Sequence, residues 1–248
     1  VDLIARLQAA ARGYPPALVK KLIGDRLKEH GVYDRLLEEM CRCWRIDYAN
    51  EFHLDITPSV PNPDCDNDGE LVPDRELRIW KASNPRGYKS AFTRRAALRP
   101  RMRLRKAMPT FDERANASIE PYPETGGFKG VLRRTVQIAK RHRDVHFARR
   151  PRECAPISVI VTTLLAWSYE RCVAQREFED EFDVLTEVVT GMTDFIEQRD
   201  GRWYIWNDTT PGENFAEKWN HHPDRAASFF AWHGKIVKDL VMLRSLDG

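Results

Sequence analysis

The feature that most limits what this chain can fold into is a change of hydrophobic period near residue 130. Before it, residues 43–48, 52–57 and 76–81 alternate apolar and polar side chains, the pattern of strands with one buried face. After it, apolar residues recur at helical spacing. Leu132, Val136, Ala139 and Val145 fall along one helix face, and residues 157–174 read as a second, mostly buried helix. Strands first and helices later predict an α/β (α+β) protein: a mixed-sheet lobe over residues 1–110 and a helical lobe over 111–248.

Within the first lobe, Pro15-Pro16 opens a helix over residues 15–30, with Leu18, Leu22 and Leu27 as its apolar stripe. Residues 33–43 continue as helix or pass into a strand. Residues 43–48 then form a hairpin with 51–57. In that second strand Phe52, Leu54 and Ile56 alternate with His53, Asp55 and Thr57, so Asp55 shares a face with His53 and Thr57. Pro58 and Pro61 are expected to end the strand, because proline cannot donate to a central ladder. After residues 76–81, Ser83-Asn84-Pro85 stops the strand and a helix starts at 88–95. Residues 96–127, rich in Arg, Pro and Gly, read as a linker or a mobile loop. In the second lobe a third helix ends near Gln198, residues 203–206 form an aromatic strand or turn, and 214–219 and 223–246 are helical. Arg133, Gln137, Lys140 and Asp144 form a polar stripe beside the apolar face of the first helix.

The bulk chemistry is that of an ordinary globular protein, with 42% apolar and 31% charged residues and a net charge of +3. No overall field announces a nucleic-acid partner. Local potential is another matter, since residues 94–106 and 133–150 each hold seven basic residues and attract phosphates. Five cysteines form no CxxC pair, which argues against a disulfide framework or zinc ribbon and for reduced thiols in the cytoplasm. The longest apolar run, 157–167, is too short to span a bilayer. Residues 64–70 imitate the opening of a calcium loop, but its twelfth position is Arg75 rather than Glu, so they read as an acidic turn. His53 next to Asp55 reads as a packing or hydrogen-bonding residue, since hard cations do not favour imidazole, and the His221-His222 pair and Cys41-x-Cys43 lack partners at zinc-ligand spacing.

Two stretches carry a resemblance: 130–144, GVLRRTVQIAKRHRD, followed by 156–164, PISVIVTTL. With residues 52–58, FHLDITP, and with 83–88 and 213–219, they resemble the bacterial cGAS/DncV-like nucleotidyltransferases (CD-NTases) of CBASS anti-phage defence. The resemblance implies a nucleotidyltransferase-type sheet lobe and a helical lobe around a central cleft. It also implies synthesis of a cyclic oligonucleotide second messenger from NTPs with Mg2+ (or Mn2+). In that pattern a Gly-Ser turn and an Asp-x-Asp pair precede a third Asp on a neighbouring strand. Val1-Asp2-Leu3 looks like the end of the Asp-x-Asp strand, making Asp2 the second carboxylate and Asp55 the third, both catalytic and metal-holding. The turn and the first Asp are not among these residues, and segments upstream of Val1 are expected.

The chemistry calls for such residues. Phosphoryl transfer gains from divalent ions that stabilise attacking and leaving oxygens, and Mg2+ takes oxygen ligands while keeping waters. The third Asp is also a candidate to help deprotonate the attacking ribose hydroxyl. The resemblance further implies that Lys140 and Ser158 contact the triphosphate, with Arg133 and Gln137 lining the same cleft. A lysine on a helix is commonly just solvated, and a serine at a helix start is commonly an N-cap. Partners implied are NTPs, CBASS-encoded regulators and an E1/E2-like conjugating partner acting on the C-terminus. Nucleic acid is possible but not required, and no membrane is expected. Two other readings stay open: linear oligonucleotide synthesis or nucleotidyl transfer to RNA or protein on the same fold, and a non-catalytic nucleotide- or RNA-binding scaffold.

Overall fold

The structure is a computed structural model, and it describes residues 2–48, 52–65, 68–74, 78–103, 130–150 and 154–246. Of the expected linker at 96–127, residues 104–127 lie outside them, with the end of the first basic run. The linker's described part holds the last residue of a helix and a short strand, Arg101–Met102. Residues 76–77 at the start of the expected strand and the C-terminal residues 247–248 also lie outside the described residues. Two compact units emerge. The first comprises residues 1–91 with 207–213, and the second 92–206 with 214–248. The division differs from the expected boundary at 110/111. It falls inside one helix, whose last turns pack with the helical unit through Phe92 and Ala96.

The first unit is built on a mixed six-stranded sheet. Its strands are β1 (Asp2–Arg6), β2 (Leu37–Glu39), β3 (Trp44–Tyr48), β4 (Phe52–Pro61), β5 (Glu70–Asp74) and β6 (Ile79–Ser83), with helix α1 (Pro16–Lys28) between β1 and β2. The order is β2-β3-β4-β5-β6, all antiparallel, and β1 pairs with β4 in parallel. β4 does not end at Pro58. The β3 ladder stops opposite Ile56 and the β5 ladder starts opposite Val60, so the missing N–H of Pro58 removes no bond from either antiparallel ladder.

Burial also departs from the simple alternation. Phe52 is 55% exposed and stacks on Tyr48 at the hairpin end, 4.6 Å between centroids, whereas Pro58, Ser59 and Val60 are buried. On α1 the expected stripe fails as well. Leu18 and Leu22 are exposed, and Val19, Lys20 and Gly24 face inward. Trp44 decides this. Its indole N–H donates to the Lys20 carbonyl at 2.8 Å, and a Cβ added at Gly24 would stand 2.1 Å from its ring. Only glycine lets the indole approach so closely.

Helix α2 (Pro85–Ala96) starts at Pro85, with Asn84 as its cap: Gly87 N–H donates to the Asn84 side-chain oxygen at 2.7 Å. The same buried Asn84 donates to the Thr209 carbonyl at 3.1 Å, tying 207–213 to the first unit.

In the second unit, β7 (Arg101–Met102) is followed by α3 (Val131–Phe147), α4 (Ser158–Gln175), β8 (Glu177–Phe178), α5 (Glu181–Thr190), β9 (Glu197–Arg199), β10 (Arg202–Tyr204) and α6 (Pro223–Leu246). α3 buries Leu132, Val136 and Ala139 as its period requires, but Val145 is 62% exposed. Phe147 takes the place expected of Val145 in the core. The third helix is shorter than its apolar pattern suggests: α5 stops at Thr190 and a 3-10 helix, Gly191–Phe195, follows. Residues 214–219 contain only a 3-10 turn, Glu217–Trp219, because the Asn214 side chain binds Ile205 N–H, Ala216 N–H and the Trp203 carbonyl instead. α4 lies deepest, with Ile160, Val161, Leu164, Leu165 and Tyr169 fully buried. Among the described residues no helix is long and apolar enough to cross a membrane.

Candidate functional site

Sheet register sets Asp2 beside Asp55. β1 and β4 run parallel with Asp2 and Asp55 as Cα partners, although 52 positions separate them in sequence. On the other flank, the β3–β4 hairpin places Arg45 opposite Asp55. The guanidinium meets the carboxylate with two parallel bonds, Nε to Oδ1 at 2.8 Å and Nη2 to Oδ2 at 2.9 Å. Such forked pairs are among the stronger charge-assisted bonds. Arg45 holds the Asp55 carboxyl below the usual carboxylate range, outweighing the opposing effect of partial burial, and His53 adds a smaller push in the same direction. The depressed proton affinity matters chemically. It makes Asp55 a weaker base and a better permanent anion, which suits holding a cation more than taking a proton from a hydroxyl.

Donor chemistry at this point is hard oxygen, suited to Mg2+ or Mn2+ rather than zinc. Each carboxylate oxygen offers two lone pairs, and Arg45 engages one on each, so Asp55 keeps free acceptor positions. Among the described residues no group of three or more His, Cys, Asp or Glu side chains is placed to hold a metal ion. Two protein carboxylates are compatible with Mg2+ only where waters and substrate oxygens complete its shell.

The second unit holds the other four predicted residues. Arg133, Gln137, Lys140 and Asp144 do follow one stripe of α3, three of them exposed and Lys140 half-buried. The Arg133 guanidinium stacks 5.4 Å from the Phe92 ring centre. Among the described residues Lys140 has no hydrogen-bond or ion-pair partner. Burial lowers its ammonium pKa, the neighbouring Arg143 lowers it further, and Asp144 opposes both. A half-buried cation with no hydrogen-bonded carboxylate among the described residues is primed to take an anion.

Ser158 is the first residue of α4. The N-cap is Ile157, whose side chain caps nothing, so serine's common capping role does not apply here. Its exposed hydroxyl instead accepts from Arg143 Nη1 at 3.1 Å. Arg143, the residue that binds Ser158, follows Lys140 by about one turn of α3.

Arg45 and Arg143 were not picked out in the sequence. The signal for Arg45 was available: a hairpin pairing 48 with 52 also pairs 45 with 55. A surface depression of about 780 Å³ in the second unit, lined by Arg103, Arg176, Asp183 and Arg244 among others, includes none of the six predicted residues. Its arginines are already paired, Arg176 with Glu187 at 2.5 Å and Arg244 with Asp180 at 2.7 Å.

Comparison with known proteins agrees with the resemblance seen in the sequence. No family model matches the chain. A c-di-GMP synthase of Roseivirga ehrenbergii is 26% identical over 249 residues, covering all of this chain and 62% of that protein. The chain therefore spans about three-fifths of the length of the curated relative it matches. The CD-NTase CdnG of Bradyrhizobium diazoefficiens, solved with GTP, superposes with a TM-score of 0.65 at 18% identity, over 98% of this chain and 72% of that one. DncV of Escherichia coli, solved with 3'-deoxy GTP bound, gives 0.58 at 17% identity over 92% and 52%. The fold, a mixed sheet unit and a helical unit, is that of the CD-NTases.

Proposed function

We propose that this chain is the core of a nucleotidyltransferase that joins nucleoside triphosphates into a cyclic dinucleotide. In this reading Asp2 and Asp55 hold Mg2+ or Mn2+, while Lys140 and Ser158 take the triphosphate. What supports it most is the β1–β4 register, which puts two acidic residues at adjacent positions of the sheet in a chain with the CD-NTase fold. When bound, the metal would supply positive charge to the phosphates during transfer. Arg45 keeps Asp55 ionised for that task. Lys140 offers a point charge, and Ser158 a hydroxyl beside the uncapped N–H groups of α4. Arg133 and Gln137, exposed on the same stripe as Lys140, are proposed to line the nucleotide's path. GTP is the first substrate to test, since the curated relative is named for c-di-GMP. A place in anti-phage signalling, with the regulators or conjugating partners such systems carry, belongs to the same proposal.

The test is incubation of the protein with each NTP and Mg2+, then phosphatase treatment and mass spectrometry. A closed ring survives phosphatase, whereas a linear product loses its terminal phosphates. Asp55→Asn keeps the shape and removes the charge, and is expected to cut product formation by about 100-fold or more. Full activity of that variant, or absence of any nucleotide product from the parent, would overturn the proposal.

A further inference from the structure

Arg143 is the most heavily hydrogen-bonded side chain beside the proposed triphosphate contacts. Only 13% of its side chain is exposed. Its Nε and Nη2 donate to Asp144 Oδ1 at 3.0 and 2.7 Å. Its Nη1 donates to the Pro156 carbonyl at 3.0 Å and to Ser158 Oγ at 3.1 Å. One planar guanidinium on α3 therefore grips the peptide that leads into α4 and the first side chain of that helix. Ser158 gains no help from a cap, and its own carbonyl is taken by Thr162 Oγ1 at 2.8 Å.

The direction of the Arg143–Ser158 bond has a consequence. Arginine can only donate, so the serine oxygen must accept. That fills one lone pair, and the hydroxyl proton cannot point at the guanidinium. It is left to point outward, where a phosphate oxygen can receive it, and the cationic donor polarises it in that sense. Without a donor at that position the hydroxyl would be free to rotate. Asp144, in turn, holds the Nε–Nη2 edge of the guanidinium.

We propose that Arg143 is a positioning residue, anchored by Asp144, that fixes the Ser158 hydroxyl as an outward donor and locks the start of α4 against the Lys140 turn of α3. The inference rests on the reading that Lys140 and Ser158 hold the triphosphate, and its test separates the two. Direct binding of a non-hydrolysable GTP analogue is measured, by calorimetry with Mg2+, for the parent and for Lys140→Ala, Ser158→Ala, Arg143→Met, Asp144→Asn and the Arg143→Met/Ser158→Ala pair. Arg143→Met is expected to weaken binding about tenfold, the scale of one charge-assisted bond. Asp144→Asn should weaken it about threefold, and Arg143→Lys should not restore it, because a point charge cannot bridge Asp144, Pro156 and Ser158 together. The double variant should bind within about twofold of Arg143→Met alone, since serine acts through the arginine.

A purely structural arginine would lower the melting temperature and leave the affinity of the folded protein unchanged, and the losses in the double variant would then simply multiply. Either result overturns the proposal. If Arg143→Met does not fold, the Asp144→Asn affinity decides, and an unchanged value overturns it. Should Lys140→Ala and Ser158→Ala both bind like the parent, the triphosphate reading itself fails. If they weaken binding and Arg143→Met does not, only the role of Arg143 fails.

Discussion

The two units bury different things. In the helical unit twenty-six apolar side chains form one continuous core around α4, while the sheet unit buries, besides Pro58 and Pro73, only Val19, Trp44, Ile46, Val60 and Val72 among the described residues. The sheet unit also buries polar side chains, Lys20, Ser59, Glu70, Asp74 and Asn84 together with Asn207, Thr209 and Thr210. These are held by partners. Lys20 donates to the carbonyls of Met40 and Cys41, Ser59 to Glu70 at 2.9 Å, and Arg42 reaches Asp74 at 3.0 Å. Buried polar groups add little when satisfied and cost much when orphaned. The helical unit therefore depends on volume and the sheet unit on partners and ionisation. The proposed site residues show the same contrast within each unit: Asp55 is held by Arg45 in a direct ion pair, whereas Lys140 has no hydrogen-bond or ion-pair partner among the described residues.

The largest effect expected from this contrast is in the helical unit. Trp232 is fully buried and donates to His142 Nδ1 at 3.0 Å. Trp232→Ala should destabilise by about 3–5 kcal/mol, measured by urea denaturation. A loss below about 1 kcal/mol would contradict a volume-dependent core. Next comes the close approach of Trp44 to Gly24 in the sheet unit. Gly24→Ala sets a methyl against the Trp44 ring and should cost about 1–3 kcal/mol. Pairing it with Trp44→Leu should recover part of the loss that Gly24→Ala causes in the parent. No recovery would mean that the clash lies elsewhere.

The helical unit was the more legible of the two for the same reason. A core made of apolar side chains declares itself by period, so α4 and α6 were readable almost to the residue, and on α3 Leu132, Val136 and Ala139 were readable too. α1 was not, because its inward face carries Lys20 and Gly24, and hydropathy gives no credit to a lysine that will find two carbonyls or to a glycine that admits an indole. β4 was misread at Pro58, since the sequence does not tell where one ladder stops and the next begins. The Asp2–Asp55 register followed from a family resemblance and from no local pattern. Arg143 was illegible in a deeper sense: its role depends on where α4 starts in space, and residues 143 and 158 share no periodicity that would announce a contact.

Acid should separate the units further. Arg45 lowers the pKa of Asp55, and Arg6 with Arg86 lowers that of Asp68, from a reference of 3.8. A carboxylate with a depressed folded-state pKa contributes stability that is complete above 3.8 and is lost as pH falls through the folded value. The helical unit has such acids too, Asp180 and Asp239, but its apolar core does not titrate. Hydrogen exchange followed from pH 7 toward pH 3 should therefore rise first in β3 and β4 and later in α4, after correction for intrinsic exchange rates. Arg45→Gln should flatten the β4 response, because the pKa of Asp55 then returns toward its reference. Simultaneous opening of α4 and β4 would dissolve the contrast.

The smallest effects test whether exposed apolar residues matter in either unit. Leu22 on α1 and Val145 on α3 both look like core residues by spacing, yet they are 57% and 62% exposed. Leu22→Glu and Val145→Lys should each change stability by no more than about 0.5 kcal/mol. Both are conservative with respect to helix: glutamate and lysine are better helix formers than valine and near leucine, so propensity cannot mask a packing loss. A cost of about 2 kcal/mol or more at either position would place that side chain against a neighbour and return the helix face to the one its period suggests. At Leu22 such a cost would also enlarge the apolar core of the sheet unit, and the difference between the units would shrink accordingly.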